Sequence, residues 1–436
     1  MKYIAILLSK TLSFLLNLIH RGGSMPGEYA LKVHHDVLKE LSIKCPIIAV
    51  TGTNGKTSTS NMIASTFEAA GKKVITNRKG DNMRPGIATC ILKDANMHGK
   101  VIADYIVLEV DELNLPYILA DLPVTHVVVT NFFRDQLDRA KEMEQLIQKV
   151  EGALKNFEGT LVLNANDPNV VRLADASLHA SATYFSMNAY DGSKKENKEA
   201  SEGKFCPRCK AKLIYDFYQY SHVGKYHCSK CDFKTPEDTL SGDVVNIHKR
   251  QFNCQNALYT APQDGLYTMY NCMAVLAIAK AFDIDPSYAQ KTFESIPVPA
   301  GRNEIFTIND QKCVINLVKN PTGANEVMKV IEEDHNEKTI LIVLNDNAQD
   351  GTDISWIYDT HFEKLVNDET AHIICSGARC YDMALRLKYA GYVERIQVEE
   401  NLETAVASLK SANTTMYAIA TYTALQPVRK LLRREA

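Results

Sequence analysis

The run Gly52-Thr53-Asn54-Gly55-Lys56-Thr57 lies between an apolar stretch over 46–50 and a helix-forming stretch over 57–70. Glycines let backbone N–H groups turn toward a phosphate, and the N-terminus of the following helix adds the positive end of its dipole. Lys56 then reaches the β- and γ-phosphates, and Thr57 offers a hydroxyl to Mg²⁺. The two glycines are closer together than in the common phosphate loop. A magnesium nucleotide also needs a carboxylate at a neighbouring strand end. Glu109, Asp111 and Glu112 are candidates at the end of the apolar run 105–110, and Glu109 is the first choice. Thr130-Asn131 follows another such run at 126–129, where ligands collect in an open parallel sheet.

A second constellation is Cys206-Pro207-Arg208-Cys209 and Cys228-Ser229-Lys230-Cys231. Each C-x-x-C knuckle can turn two thiolates toward one ion, and four thiolates complete the closed tetrahedral shell of structural Zn²⁺. No position stays open for catalysis, and His222 and His227 are surplus to the shell. The remaining cysteines of the eleven are scattered, several in apolar surroundings such as Cys90, Cys272 and Cys375. That scatter argues against a disulfide framework.

These residues need a scaffold, and 436 residues suggest two or three domains. A composition of 45% hydrophobic and 23% charged residues excludes wholesale disorder and a polytopic membrane protein. A net charge of −3 gives no global field for polyanions, so any anion must be held locally. Apolar runs at 46–50, 105–110, 126–130 and 160–163 read as buried parallel strands, with the helix over 57–70 closed by Gly71. Residues 1–20 read as a helix whose apolar run Lys10 interrupts, with Leu7, Leu8, Leu12, Leu15 and Leu16 forming a stripe expected to pack on the protein itself, contact with a membrane surface being the alternative. The polar stretch 188–204 reads as a mobile surface loop, and a helix is expected over 270–282. Strands at 314–317, 339–344, 372–375 and 416–420 form a second, smaller α/β unit ending in a basic helix.

Gly52 to Ser58, Thr130-Asn131 leading to Leu137-Asp138-Arg139, Leu163-Asn164-Ala165-Asn166-Asp167-Pro168, Gly301-Arg302-Asn303-Glu304 and Asn320-Pro321 occur in the order found in Mur ligases. The chain resembles that superfamily almost end to end. The resemblance implies an N-terminal helical segment (1–40), a central P-loop ATPase domain (41–300) with a four-cysteine zinc ribbon inserted at about 205–233, and a Rossmann-like α/β C-terminal domain (301–436). It implies ATP held by Gly52, Thr53, Asn54, Gly55, Lys56 and Thr57, with Asn131, Asn271 and Arg302 contacting the nucleotide. Mg²⁺ would lie near Thr57 and Glu109, and a carboxylate would be activated as an acyl phosphate that an amine attacks. Departures narrow the reading. Gln136 stands where His is general, Lys319 precedes Asn320-Pro321 where His is usual, and Asn316 takes a place often held by Asp. The lysine that is usually carbamylated has no evident counterpart, and only about 40 residues precede the first strand, which disfavours a soluble UDP-sugar substrate.

With its cysteine ribbon, the chain is similar to the MurT-type subunits of lipid II isoglutaminyl synthases. The likeness extends over Asp346-Asn347-Ala348-Gln349-Asp350-Gly351-Thr352-Asp353-Ile354-Ser355-Trp356. It implies amidation of the α-carboxyl of D-glutamate in the lipid II stem peptide. The partner would be a class I glutamine amidotransferase-like subunit of the GatD type, forming a heterodimer and supplying ammonia. It also implies a cytoplasmic location, with lipid II met at the inner face of the plasma membrane. As bare sequence, Asp353 is a turn residue and helix cap; by resemblance it completes the partner's Cys-His pair in trans, with Asp350 and Asp346 as alternatives. The rivals are a folylpolyglutamate synthase-like ligase, for which the ribbon is unexpected, and a zinc-ribbon nucleic-acid-binding NTPase, which the charge disfavours.

Overall fold

The computed structural model describes residues 1–18, 23–78, 81–133, 143–196, 203–297, 301, 303–392 and 394–433. They form two compact units, one of residues 1–133 and 144–296 and one from Pro297 onward.

The first unit is built on a nine-stranded sheet. Strands β1 (Ile47–Thr51), β2 (Val74–Thr76), β3 (Tyr105–Glu109), β4 (His126–Val129), β5 (Thr160–Asn164) and β6 (Ser181–Met187) run parallel in the spatial order β2-β3-β1-β4-β5-β6. A separate antiparallel hairpin, β7 (Leu213–Tyr220) with β8 (Val223–Cys228), interrupts the chain. The main sheet then continues through β9 (Leu240–Asn246), β10 (Gln251–Cys254) and β11 (Ala257–Thr260). β1 is buried along its whole length and β4 and β5 along nearly all of theirs, as strands covered on both faces must be. One face carries Phe67, Val128 and Met273 in a single core beneath the helices Lys56–Ala69 and Leu266–Ala281.

The chain leaves β1 for the β2 edge, returns through β3 beside β1 and then crosses to β4 on the other side. The strand order therefore reverses direction at β1, and the crevice beyond its carboxyl end is where such a sheet receives a ligand. The sequence places β1, β3, β4, β5 and both long helices within a few residues, and gives no expectation for β2 or β6. The helix after β1 spans Lys56–Ala69, and Gly71, at φ +76°, stops it.

Helix α1 (Lys2–Leu18) packs against α2 (Met25–Val33), and both meet α4 (Arg84–Asp94), counting Lys56–Ala69 as α3. The expected leucine stripe does not face the protein. Ala5, Ile6, Ser9 and Ser13 are buried, whereas Leu7 and Leu15 are exposed and Leu8, Leu12 and Leu16 lie on the flanks. Small side chains let the helix axes approach closely, so the inward face is the small one. The polar stretch also differs from expectation. Lys194 exchanges backbone hydrogen bonds with Tyr218 of β7, and Gln219 donates to the Asn188 carbonyl, so this part of it is tied to the hairpin.

The second unit has a six-stranded sheet of β12 (Glu304–Ile308), β13 (Gln311–Leu317), β14 (Lys338–Val343), β15 (Thr370–Ser376), β16 (Ile396–Val398) and β17 (Thr415–Ala420). Their order is β12-β13-β17-β14-β15-β16, all parallel except β12, with an apolar layer on each face. Gly301 sits at φ +77°, and a Cβ there would come within 2.5 Å of Leu425. Among the described residues no helix is long and apolar enough to cross a membrane.

Candidate functional site

The loop between β1 and α3 needs both its glycines. Gly52 is at φ +119°, and an added Cβ would lie 2.4 Å from Thr130 Oγ1; Gly55 is at φ +88°, and its Cβ would lie 2.3 Å from Asn271 Oδ1. The next strand's end braces the loop. Asn131 Oδ1 accepts from the Asn54 N–H at 2.9 Å, its Nδ2 donates to the Asn54 carbonyl at 3.0 Å, and its own carbonyl accepts from the Thr53 N–H at 2.9 Å. Thr130 Oγ1 donates to the same Asn54 carbonyl, and Thr53 Oγ1 accepts from the Phe133 N–H at 3.0 Å. Asn131 thus holds the loop's own backbone, and Asn271 packs closely against Gly55.

Lys56, the first residue of α3, is buried with its ammonium folded onto the loop. Nζ donates to the Gly52 carbonyl at 2.5 Å and to Glu112 Oε1 at 3.1 Å. The carboxylate that meets the lysine is therefore Glu112, while Glu109 is the first choice for the magnesium. Glu109 ends β3, level with Val50 on the adjacent strand. Asn77 clamps its backbone through both N–H and carbonyl, and Asn82 donates to Oε1 at 2.8 Å. Oε2 is buried with no hydrogen-bond partner among the described residues. A buried carboxylate oxygen without a donor suits a cation. The half-buried Thr57 follows Lys56 at the helix start.

Asp167 was legible only as part of a motif, and His222 only as a surplus residue. The structure makes them one unit. Asp167 caps the helix Pro168–Val171 through the Asn169 N–H, accepts from the Phe132 N–H at 2.9 Å, and receives His222 Nε2 at 3.2 Å. All of this is buried. His222 comes from the turn of the β7–β8 hairpin, and Asn166 pins that turn through Gly224. The inserted hairpin is thereby connected, through Asp167 and residues 131–133, to the loop that Thr53 and Asn54 form. Asp167→Ala strands at least two buried N–H donors at about 1–3 kcal/mol each. A loss of several degrees in Tm is expected together with weaker nucleotide affinity. Thermal unfolding with and without ATP checks this, and unchanged affinity in the destabilised variant would leave the brace without a role in the loop.

At the other end of the hairpin the four cysteine sulfurs lie within 4.8 Å of one another. Cys206 and Cys231 are 3.5 Å apart, and Cys209 and Cys228 are 3.4 Å apart. The Lys230 N–H donates to Cys228 Sγ at 3.4 Å. Four converging cysteine sulfurs fit a tetrahedral structural cation. Leu213, Tyr226 and Phe233 form a small core beneath it, with Val171 of the main body.

In the second unit Asp350 is buried and receives the Thr423 N–H at 2.7 Å, tying the start of the helix Tyr422–Arg433. Asp346 pairs with Arg379 at 2.8 Å. Asp353 is half-buried, and its oxygens accept from the Ser355 N–H at 2.8 Å and hydroxyl at 3.0 Å, ahead of the short helix Ser355–Asp359. Asn320 caps the helix Pro321–Glu332, and Asn316 receives the Asn303 N–H. Arg302, Gln136 and Leu137-Asp138-Arg139 lie outside the described residues.

Residues 50–279 match the Mur ligase middle domain and residues 317–425 the MurT ligase C-terminal domain. The chain is 35% identical over 418 residues to the lipid II isoglutaminyl synthase (glutamine-hydrolyzing) subunit MurT of Staphylococcus aureus strain N315, covering 95% of this chain and 93% of the relative. It is 32% identical over 436 residues to the protein of the same description from Streptococcus pneumoniae strain R6, covering 98% and 96%. Among solved structures, a pseudomurein peptide ligase type C from Methanothermus fervidus superposes with a TM-score of 0.67 at 20% identity, over 91% of this chain and 80% of that one. At that identity the likeness is one of fold.

Proposed function

We propose, from the premise that the chain belongs to the Mur ligase family and to its MurT branch, that it is the ligase subunit of a lipid II isoglutaminyl synthase. In this reading it amidates the α-carboxyl of D-glutamate in the lipid II stem peptide. The observation that carries the reading is the end of β1 and β3, where a braced phosphate loop stands beside a buried carboxylate with an unpartnered oxygen. The match along almost the whole chain to subunits named for that reaction supports it.

The substrate carboxylate attacks the γ-phosphorus of ATP and ADP leaves, giving an acyl phosphate. Ammonia attacks its carbonyl carbon, phosphate leaves, and the nitrogen loses a proton. The loop amides and Lys56 offset the charge on the transferring phosphoryl group, so catalysis is mainly positioning and charge neutralisation. Glu109 and Thr57 would hold Mg²⁺, which supplies further neutralisation between the phosphates. Ammonia comes from a class I glutamine amidotransferase-like partner of the GatD type, whose Cys-His pair Asp353 completes. Cys206, Cys209, Cys228 and Cys231 hold structural Zn²⁺.

Two experiments test this. Copurified with such an amidotransferase, the chain should convert lipid II carboxyl to carboxamide with ATP and glutamine, scored by mass spectrometry. Glutamate addition to a folate with no action on lipid II would sink the reading in favour of the folylpolyglutamate-type rival. Elemental analysis should find about one zinc per chain. Cys206→Ser and Cys231→Ser should lose metal and thermal stability together, and a metal-free, fully stable wild type would remove the ribbon.

A further inference from the structure

Helix α1 is inside out for a surface helix. Tyr3, Ile4, Leu7, Phe14, Leu15 and Leu18 are each between 51% and 64% exposed. At 3.6 residues per turn they occupy roughly one third of the circumference. The opposite face, Ala5, Ile6, Ser9 and Ser13, is the one packed on the protein. A helix that only had to cover its own domain would turn its large apolar residues inward. Here Ala5, Ser9 and Ser13 face in with Ile6, and an apolar band interrupted by Thr11 and edged by Asn17 faces out.

Charge selects the occupant. α1 contains Lys2 and Lys10 and no aspartate or glutamate. The two ammonium groups reach the backbone carbonyls of Glu40 and Lys93, contacts that leave both positive charges in place, with Lys10 at one edge of the outward band. An outward apolar face with aromatic residues and a cationic flank is the pattern of a helix lying in the interface of an anionic bilayer. Among the described residues no helix is long and apolar enough to span one.

We infer that α1 docks this chain on the surface of an anionic lipid bilayer, with Leu7, Phe14 and Leu18 seated among the acyl chains. This rests on the proposed function, in which the acceptor is lipid-borne and the enzyme must work beside a membrane.

The test is co-sedimentation of the full chain with vesicles of phosphatidylglycerol and phosphatidylcholine, against phosphatidylcholine alone, without ATP or lipid II. Wild type should bind the anionic vesicles and bind less as salt rises. The triple variant Leu7→Gln/Phe14→Gln/Leu18→Gln removes exposed side chains only and should keep the wild-type Tm while binding on the order of 100-fold more weakly. Wild type that ignores both vesicle types, or a variant that binds as well, overturns the inference. So does a vesicle-free dimer that the variant breaks, which would make the face a self-interface, or loss of the amidotransferase subunit from the variant on gel filtration. A chain that amidates detergent-solubilised lipid II but ignores vesicles fails this inference alone, and one that binds vesicles but amidates nothing fails the proposed function alone.

Discussion

Lys56→Ala is expected to lower amidation by at least ~10²–10³-fold even with ammonium supplied directly, because it removes a preorganised charge from the transferring phosphoryl group. The structure adds a complication that the sequence did not contain. Lys56 is the buried partner of Glu112, so the single variant leaves a carboxylate without its cation, a change that costs about 3–5 kcal/mol in comparable buried pairs. Lost activity could then be lost folding. Lys56→Ala/Glu112→Gln separates the two, since the neutral amide no longer needs the ammonium. The double variant should regain most of the wild-type Tm and stay inactive. Turnover near wild type in either variant would refute the phosphate-loop assignment, whereas recovery of activity with stability would show that Lys56 acts only by supporting Glu112.

That complication marks where the sequence stops being readable. The loop was legible because Gly, Gly, Lys and Thr are required by backbone geometry and phosphate chemistry within six consecutive positions, and the strand before it is apolar on both faces. The cysteine cluster was legible because ligand spacing is local. Choosing between Glu109 and Glu112 was not a local matter. Glu109 ends a buried strand and Glu112 follows it, and Glu112 meets Lys56 while Asn77 and Asn82, approaching from other elements, clamp Glu109. Asp167 and His222 are 55 residues apart and meet only because the hairpin folds back onto the end of β5. α1 was misread for a different reason. Leucine periodicity says that a helix has an apolar side but not which side the protein takes, and the small face won because Ser9 and Ser13 permit close helix packing.

Asp353→Asn is expected to divide the reaction in two. If its carboxylate orients the partner's catalytic histidine, the amide removes the charge that stabilises the imidazolium and permits the wrong tautomer, a defect on the order of 10⁴ in turnover in triads of this kind. The neighbouring aspartates make poorer candidates. Asp350 is buried and bound to Thr423, and Asp346 is bound to Arg379, so either would have to leave a structural partner. Asp353 is half-buried and held by Ser355 in its own turn, so the carboxylate stays near the surface in a fixed direction. The substituted amide would keep an oxygen for the Ser355 N–H, so the turn should persist and Tm should change little. Amidation driven by glutamine should therefore collapse while amidation driven by high ammonium continues. Equal loss in both assays would point to a role in the ligase step or to a disturbed second unit, which the Tm distinguishes. No loss in either would leave Asp353 as a turn residue only, with Asp350, which supports the helix Tyr422–Arg433, the next residue to test.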